Sequence, residues 1–224
     1  MEYEKDLKHF LDYKVLPVLG DALGEEARKH HPVFLFAHSM GGAVGTLFLE
    51  DYPEYFDAAV LSSPMHEMEM GGMSRFKVNL ILGAARVAHM MKKPLFGQKG
   101  FDPDESFEDS CTMSKVRFDY YLNLRKKYPE YQTGGPTFGW VSAGMKARDR
   151  ILKNADKVRI PVLLTQAGKD TLVKADAQLQ FAALSGNTKV VTFEDAKHET
   201  MNATPEIREK FYQTIFEFYD SVSL

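Results

Sequence analysis

Apolar positions along this chain alternate between helical and strand-like spacing. Between residues 3 and 30, Leu7, Phe10, Leu11, Val15, Leu19 and Leu23 recur at mostly helical intervals among charged residues, and Pro17 interrupts them. The pattern predicts an amphipathic helix, kinked near Pro17. Pro32 then opens Val33-Phe34-Leu35-Phe36-Ala37, a continuous apolar run that reads as a strand buried on both faces. Residues 41–52 read as a helix, and residues 57–62, 160–166 and 189–193 as three further strands. A closing amphipathic helix is predicted over 204–219, with Thr204 as its cap and Pro205 in its first turn. Strands alternating with helices predict an α/β fold with a mostly parallel sheet.

Residues 65–157 contain no strand pattern but three helical ones, at 74–91, 115–127 and 137–156, with loops at 97–110 and 131–136. So long a segment between two strands is too long for a bare connection. It is expected to be a helical insertion, dividing the chain into a core at 1–64, the insertion at 65–157 and a second core segment at 158–224.

Composition narrows the function. A chain of 224 residues, 44% hydrophobic, suits one globular domain. The net charge of −3, with both signs interleaved, offers no basic stripe for nucleic acid. Cys111 is the single cysteine, so no internal disulfide forms and a cytoplasmic setting is expected. Residues 1–20 do not read as a signal peptide, and no stretch reads as a membrane span. No histidine pair, including His30-His31, has a metal-ligand spacing, and neither metal nor cofactor is expected.

The candidate chemistry begins where the first strand ends. Phe36-Ala37-His38-Ser39-Met40-Gly41-Gly42 places a serine two residues before a glycine on a strand-to-helix turn, the setting of a nucleophile elbow. Ala37, Gly41, Gly42, Ala43 and Gly45 are small enough to let strand and helix approach. The plainer reading is that Ser39 only caps the following helix.

A serine hydroxyl needs a base, commonly a histidine oriented by a carboxylate, and this architecture orders them Ser, Asp or Glu, then His. His198 alone among seven histidines follows all four predicted strands. Asp170 directly follows the third strand, at the sheet edge where ligands bind in open α/β folds, and is preferred over Asp176 and Asp195. His38 is read as packing behind the elbow. The amide of Met40 is the expected oxyanion donor.

Taken together, Ala-His-Ser-Met-Gly-Gly, Gly-Lys-Asp-Thr-Leu-Val and the late Lys-His-Glu resemble the bacterial lysophospholipase L2 and monoacylglycerol lipase group of α/β-hydrolases. Leu61-Ser62-Ser63-Pro64-Met65 and Gly135-Pro136-Thr137-Phe138-Gly139-Trp140 look more like the lysophospholipase branch. The resemblance implies an α/β-hydrolase fold with a helical cap, a Ser39, Asp170, His198 triad, and a lysophospholipid or monoacylglycerol substrate, with peripheral contact at the inner face of the membrane. Phe76, Leu80, Phe101, Phe138 and Trp140 are expected to line the acyl site, although ordinary helix packing explains each singly. The group also carries several strands and a His-Gly loop ahead of the first helix. Their absence here predicts an N-terminally incomplete sheet, a missing second oxyanion donor, lowered activity, and self-association through the exposed edge at residues 33–37.

Overall fold

The computed structural model describes residues 2–24, 31–98 and 100–223. Residues 25–30 of the first predicted helix, His30 among them, and Lys99 of the 97–110 loop lie outside these. Helices α1 (Glu2–Phe10) and α2 (Leu16–Leu23) are joined through a π-helical turn at Leu11–Val15. Pro17 explains the turn, because proline offers no N–H to the preceding turn and its ring crowds the carbonyl four residues back.

Four parallel strands follow, β1 (Phe34–His38), β2 (Ala58–Ser62), β3 (Val162–Ala167) and β4 (Thr188–Phe193), ordered β1-β2-β3-β4. The predicted third strand began two residues early, since Pro161 can give no amide to the ladder. Between the strands run α3 (Met40–Asp51), α4 (Arg75–Val87), α5 (Lys115–Lys127), α6 (Phe138–Asn154) and α7 (Ala175–Ser185), and α8 (Pro205–Val222) closes the chain.

Two apolar layers flank the sheet. On one face, Leu47, Leu61, Ile151, Leu164 and Phe181 share a core in which α3, α6 and α7 meet. On the other, Val60, Leu163, Phe193, Phe211 and Ile215 pack beneath α8. Ser74 and Thr137 cap α4 and α6 by accepting from the Lys77 and Trp140 amides, so both helices start one residue later than their patterns suggested. Thr204, expected to cap the last helix, makes no side-chain cap bond. Among the described residues no helix is long and apolar enough to cross a membrane.

Strand β1 is outermost. Its Val33 carbonyl and the Ser39 amide just beyond it bond toward β2, so the alternate residues Phe34, Phe36 and His38 turn their backbone groups to the open side. Phe36 is 44% exposed there, although its strand reads as buried on both faces.

Candidate active site

The turn from β1 into α3 puts Ser39 at φ 53°, ψ −120°, a conformation a non-glycine residue adopts only when its surroundings impose it. Those surroundings are specific. A Cβ on Gly42 would lie 2.7 Å from the Pro64 Cβ, and one on Gly45 would lie 3.0 Å from a Leu35 methyl. Gly41, counted with them in the sequence, faces open space. Ser39 makes no side-chain cap bond to α3, so its hydroxyl is free for another partner.

That partner is His198. Its Nε2 lies 2.8 Å from Ser39 Oγ, and its Nδ1 lies 2.7 Å from Asp170 Oδ2. With Nδ1–H donating to the carboxylate, Nε2 is left to accept from the serine hydroxyl. His198 and Asp170 are almost enclosed, their side chains 5% and 8% exposed. Burial raises the Asp170 pKa, but His198 and the Leu172 and Val173 amides, which donate to Oδ1, hold it below the ordinary carboxylate range. The three residues named from chain order are therefore brought together, whereas the alternative Asp195 pairs with Lys169 on the surface.

The loops carrying the acid and the base hold each other. Gly168, just ahead of Asp170, runs so close to the Glu194 backbone that any Cβ would clash, and the Lys169 amide bonds the Ala196 carbonyl. Ser63, with a strained φ of 42°, donates from its hydroxyl to the His198 carbonyl at 3.1 Å. Nothing in the sequence pattern points to Ser63 for this role, since its partner lies 135 residues away.

His38 does not pack behind the elbow. Its Nδ1 donates to the Ser62 carbonyl at 3.0 Å and its ring lies against that of His198. Burial, then the neighbouring His198, push its pKa below the ordinary imidazole value.

Ser39 opens onto a cleft of about 490 Å³. Five methionines, Met40, Met65, Met68, Met70 and Met73, form much of its wall, with Ile81, Leu82, Leu95 and Trp140. The Trp140 indole N–H donates to the Met40 thioether at 3.2 Å. Of the aromatic residues expected here only Trp140 is in the wall. Phe76 and Leu80 are 72% and 59% exposed on α4, Phe138 is buried against Phe96, and Phe101 lies beneath Arg125. The Met40 amide is the first of α3, where helix N–H groups have no partner within the helix.

A family model described as serine aminopeptidase, S33 matches residues 3–205. The chain belongs to that family. Among the relatives of this S33-family chain, a probable lysophospholipase L2 of Haemophilus influenzae is 28% identical over 184 residues, which are 82% of this chain and 58% of the relative. The monoglyceride lipase of Homo sapiens is 27% identical over 186 residues, 82% of this chain and 57% of the relative. The chain thus spans under three-fifths of the length of these curated relatives. A soluble variant of the Saccharomyces cerevisiae monoglyceride lipase, solved with a substrate analog, aligns at TM-score 0.68 and 16% identity, covering 98% of this chain and 69% of the other. The S33-family chain has an α/β-hydrolase fold.

Proposed function

We propose that this chain carries the machinery of a serine hydrolase that cleaves carboxylic esters of single-chain lipids, with lysophospholipids as the leading substrates and monoacylglycerols next. The observation that carries the proposal is the Ser39, His198, Asp170 hydrogen-bonded chain at the wall of an apolar cleft. His198 takes the Ser39 proton as Oγ attacks the ester carbonyl, and Asp170 steadies the imidazolium. The oxyanion that forms is met by the Met40 N–H. His198 then protonates the leaving alkoxide, leaving an acyl group on Ser39. A water that gives its proton to His198 attacks this ester, His198 passes that proton to Ser39 Oγ as the bond from Oγ to the acyl carbon breaks, and the fatty acid departs.

The cleft favours a lipid over a peptide amine. Among the described residues Glu69 is the one charged residue in its wall, and its carboxylate already accepts from the Met70 and Gly72 amides. Thioether side chains adapt to irregular apolar shapes, which suits an acyl chain.

The test is covalent labelling with a fluorophosphonate, followed by turnover of a lysophospholipid and a monoacylglycerol with the same acyl chain. Labelling at Ser39, absent in Ser39→Ala, and hydrolysis of either lipid are expected. A folded protein that takes no label and turns over neither is instead a binding module built on a hydrolase fold.

A further inference from the structure

A second cavity, of about 610 Å³, lies between α5 and the loop that follows His198. It is more polar than the methionine cleft. Arg117 lines it, and among the described residues this guanidinium has no carboxylate partner, its one side-chain hydrogen bond being a 3.4 Å contact to Ser114 Oγ. Arg125, by contrast, is occupied by Glu105 at 2.7 Å. Among the described residues Glu199, which lines the same cavity, has no cationic partner, its carboxylate accepting from the Cys111 thiol at 3.3 Å and the Asn202 amide at 2.9 Å. Burial, then Glu199, push the Cys111 thiol up to about 12, so it remains a donor. Tyr120 and Tyr121, 68% and 55% exposed, supply aromatic faces.

One cavity therefore presents a guanidinium with no carboxylate partner, a carboxylate with no cationic partner among the described residues, and aromatic faces. A guanidinium suits phosphate, while a carboxylate beside aromatic rings suits a quaternary or primary ammonium. Glu199 is also the residue after His198, so their Cα atoms are about 3.8 Å apart. Its amide donates to the Cys111 carbonyl, which ties the cavity wall to the histidine loop.

We infer that this cavity is a subsite for the zwitterionic, phosphate-bearing headgroup of a single-chain lipid, with Arg117 on the phosphate and Glu199 and the tyrosines on the ammonium. The inference rests on the ester-hydrolase reading above for its place in a reaction, but the binding it asserts is measurable without turnover.

The experiment uses the full chain as Ser39→Ala, with glycerophosphocholine as the probe and glycerol as its neutral counterpart, followed by calorimetry. Glycerophosphocholine is expected to bind at millimolar concentrations, and adding Arg117→Gln should weaken it about tenfold or more, the scale of a lost charge-assisted contact. Adding Lys115→Gln, on the same helix but paired with Asp119 outside the cavity, serves as the control. Thermal melting establishes that each variant is folded. No binding of glycerophosphocholine, or equal weakening by both substitutions, overturns the subsite. Loss of fluorophosphonate labelling in the Ser39 protein instead overturns the hydrolase reading, so the two failures are separable. In an active protein, Arg117→Gln should lower the lysophospholipid-to-monoacylglycerol ratio of kcat/KM about tenfold, and Arg117→Lys should restore part of it.

Discussion

The imidazole rings of His38 and His198 lie 4.8 Å apart, tilted by 50°. The two face the same serine turn, yet only His198 reaches Ser39 Oγ, while His38 is committed to the Ser62 carbonyl. His198→Ala is therefore expected to lower kcat by three or more orders of magnitude, whereas His38→Ala should lower it about tenfold, by loosening the ring beside it. Steady-state kinetics on folded variants decides this. Equal losses would give His38 a role in the chemistry.

Replacing Asp170 by Asn keeps the shape but offers an amide where His198 needs an acceptor. The imidazole then loses the tautomer that leaves Nε2 free, and kcat should fall about 10⁴-fold with KM nearly unchanged. A variant within tenfold of wild type would show that another group orients His198.

Gly42 and Gly41 are neighbours with different constraints. Gly42→Ala should destabilise the protein by about 1–3 kcal/mol, because its methyl meets Pro64 across the elbow. Gly41→Ala meets nothing and should be neutral or stabilising by up to about 1 kcal/mol, as alanine favours the helix. Urea unfolding of the pair measures the difference.

Glu50 is a buried carboxylate that shares Arg150 with Glu4 and Asp51. Burial lifts its pKa from 4.5 to about 7, against the pull of Asn154 and Arg150. The folded state holds this proton more tightly than the unfolded state, so the Glu50 contribution is fully present below pH 4.5 and declines as pH rises toward 7. Glu50→Gln, which mimics the protonated form, should raise Tm at pH 8 and leave it little changed at pH 4. The opposite ordering in calorimetry would contradict that assignment.

His66 has the reverse sign. It is fully buried, and burial depresses its pKa from 6.5 to about 3. The Thr46 hydroxyl donates to the Gly42 carbonyl, so Thr46 Oγ1 must accept from His66 Nε2–H at 2.9 Å, which fixes a neutral tautomer. Its contribution is complete above pH 6.5 and falls by about 1.4 kcal/mol per pH unit toward pH 3. Between pH 4.5 and 6.5 Glu50 offsets it, so the loss should steepen below pH 4.5. His66→Leu should flatten that acid limb in urea titrations at successive pH values.

The parts of this site legible in the sequence are those fixed by chain order. Ser39, Asp170 and His198 each follow a strand that periodicity identifies, and a parallel sheet brings the carboxyl ends of its strands to one edge. Side-chain direction was not legible. Phe76 and Leu80 share a helix with Val78 and Leu82, but α4 turns the latter pair inward, and only packing fixes that rotation. The methionines at 65, 68, 70 and 73 lie on an irregular segment with neither helical nor strand spacing, so no periodic signal exposed them. Their density was the available clue. The place of His38 is hidden for a similar reason, because adjacency along a strained turn does not say which ring another loop will bring against it.

Strand β1 is at once the boundary of the sheet and the segment that delivers the nucleophile. Edge positions ordinarily carry little chemistry, since their amides exchange with solvent and their neighbours can change. Here the open side ends at His38, one residue short of Ser39. A strand laid along it would run about 4.8 Å from that turn. The rigidity of the elbow, and hence the hydrogen-exchange rate of the Phe36 and His38 amides, is therefore a local gauge of whatever occupies the margin of the sheet.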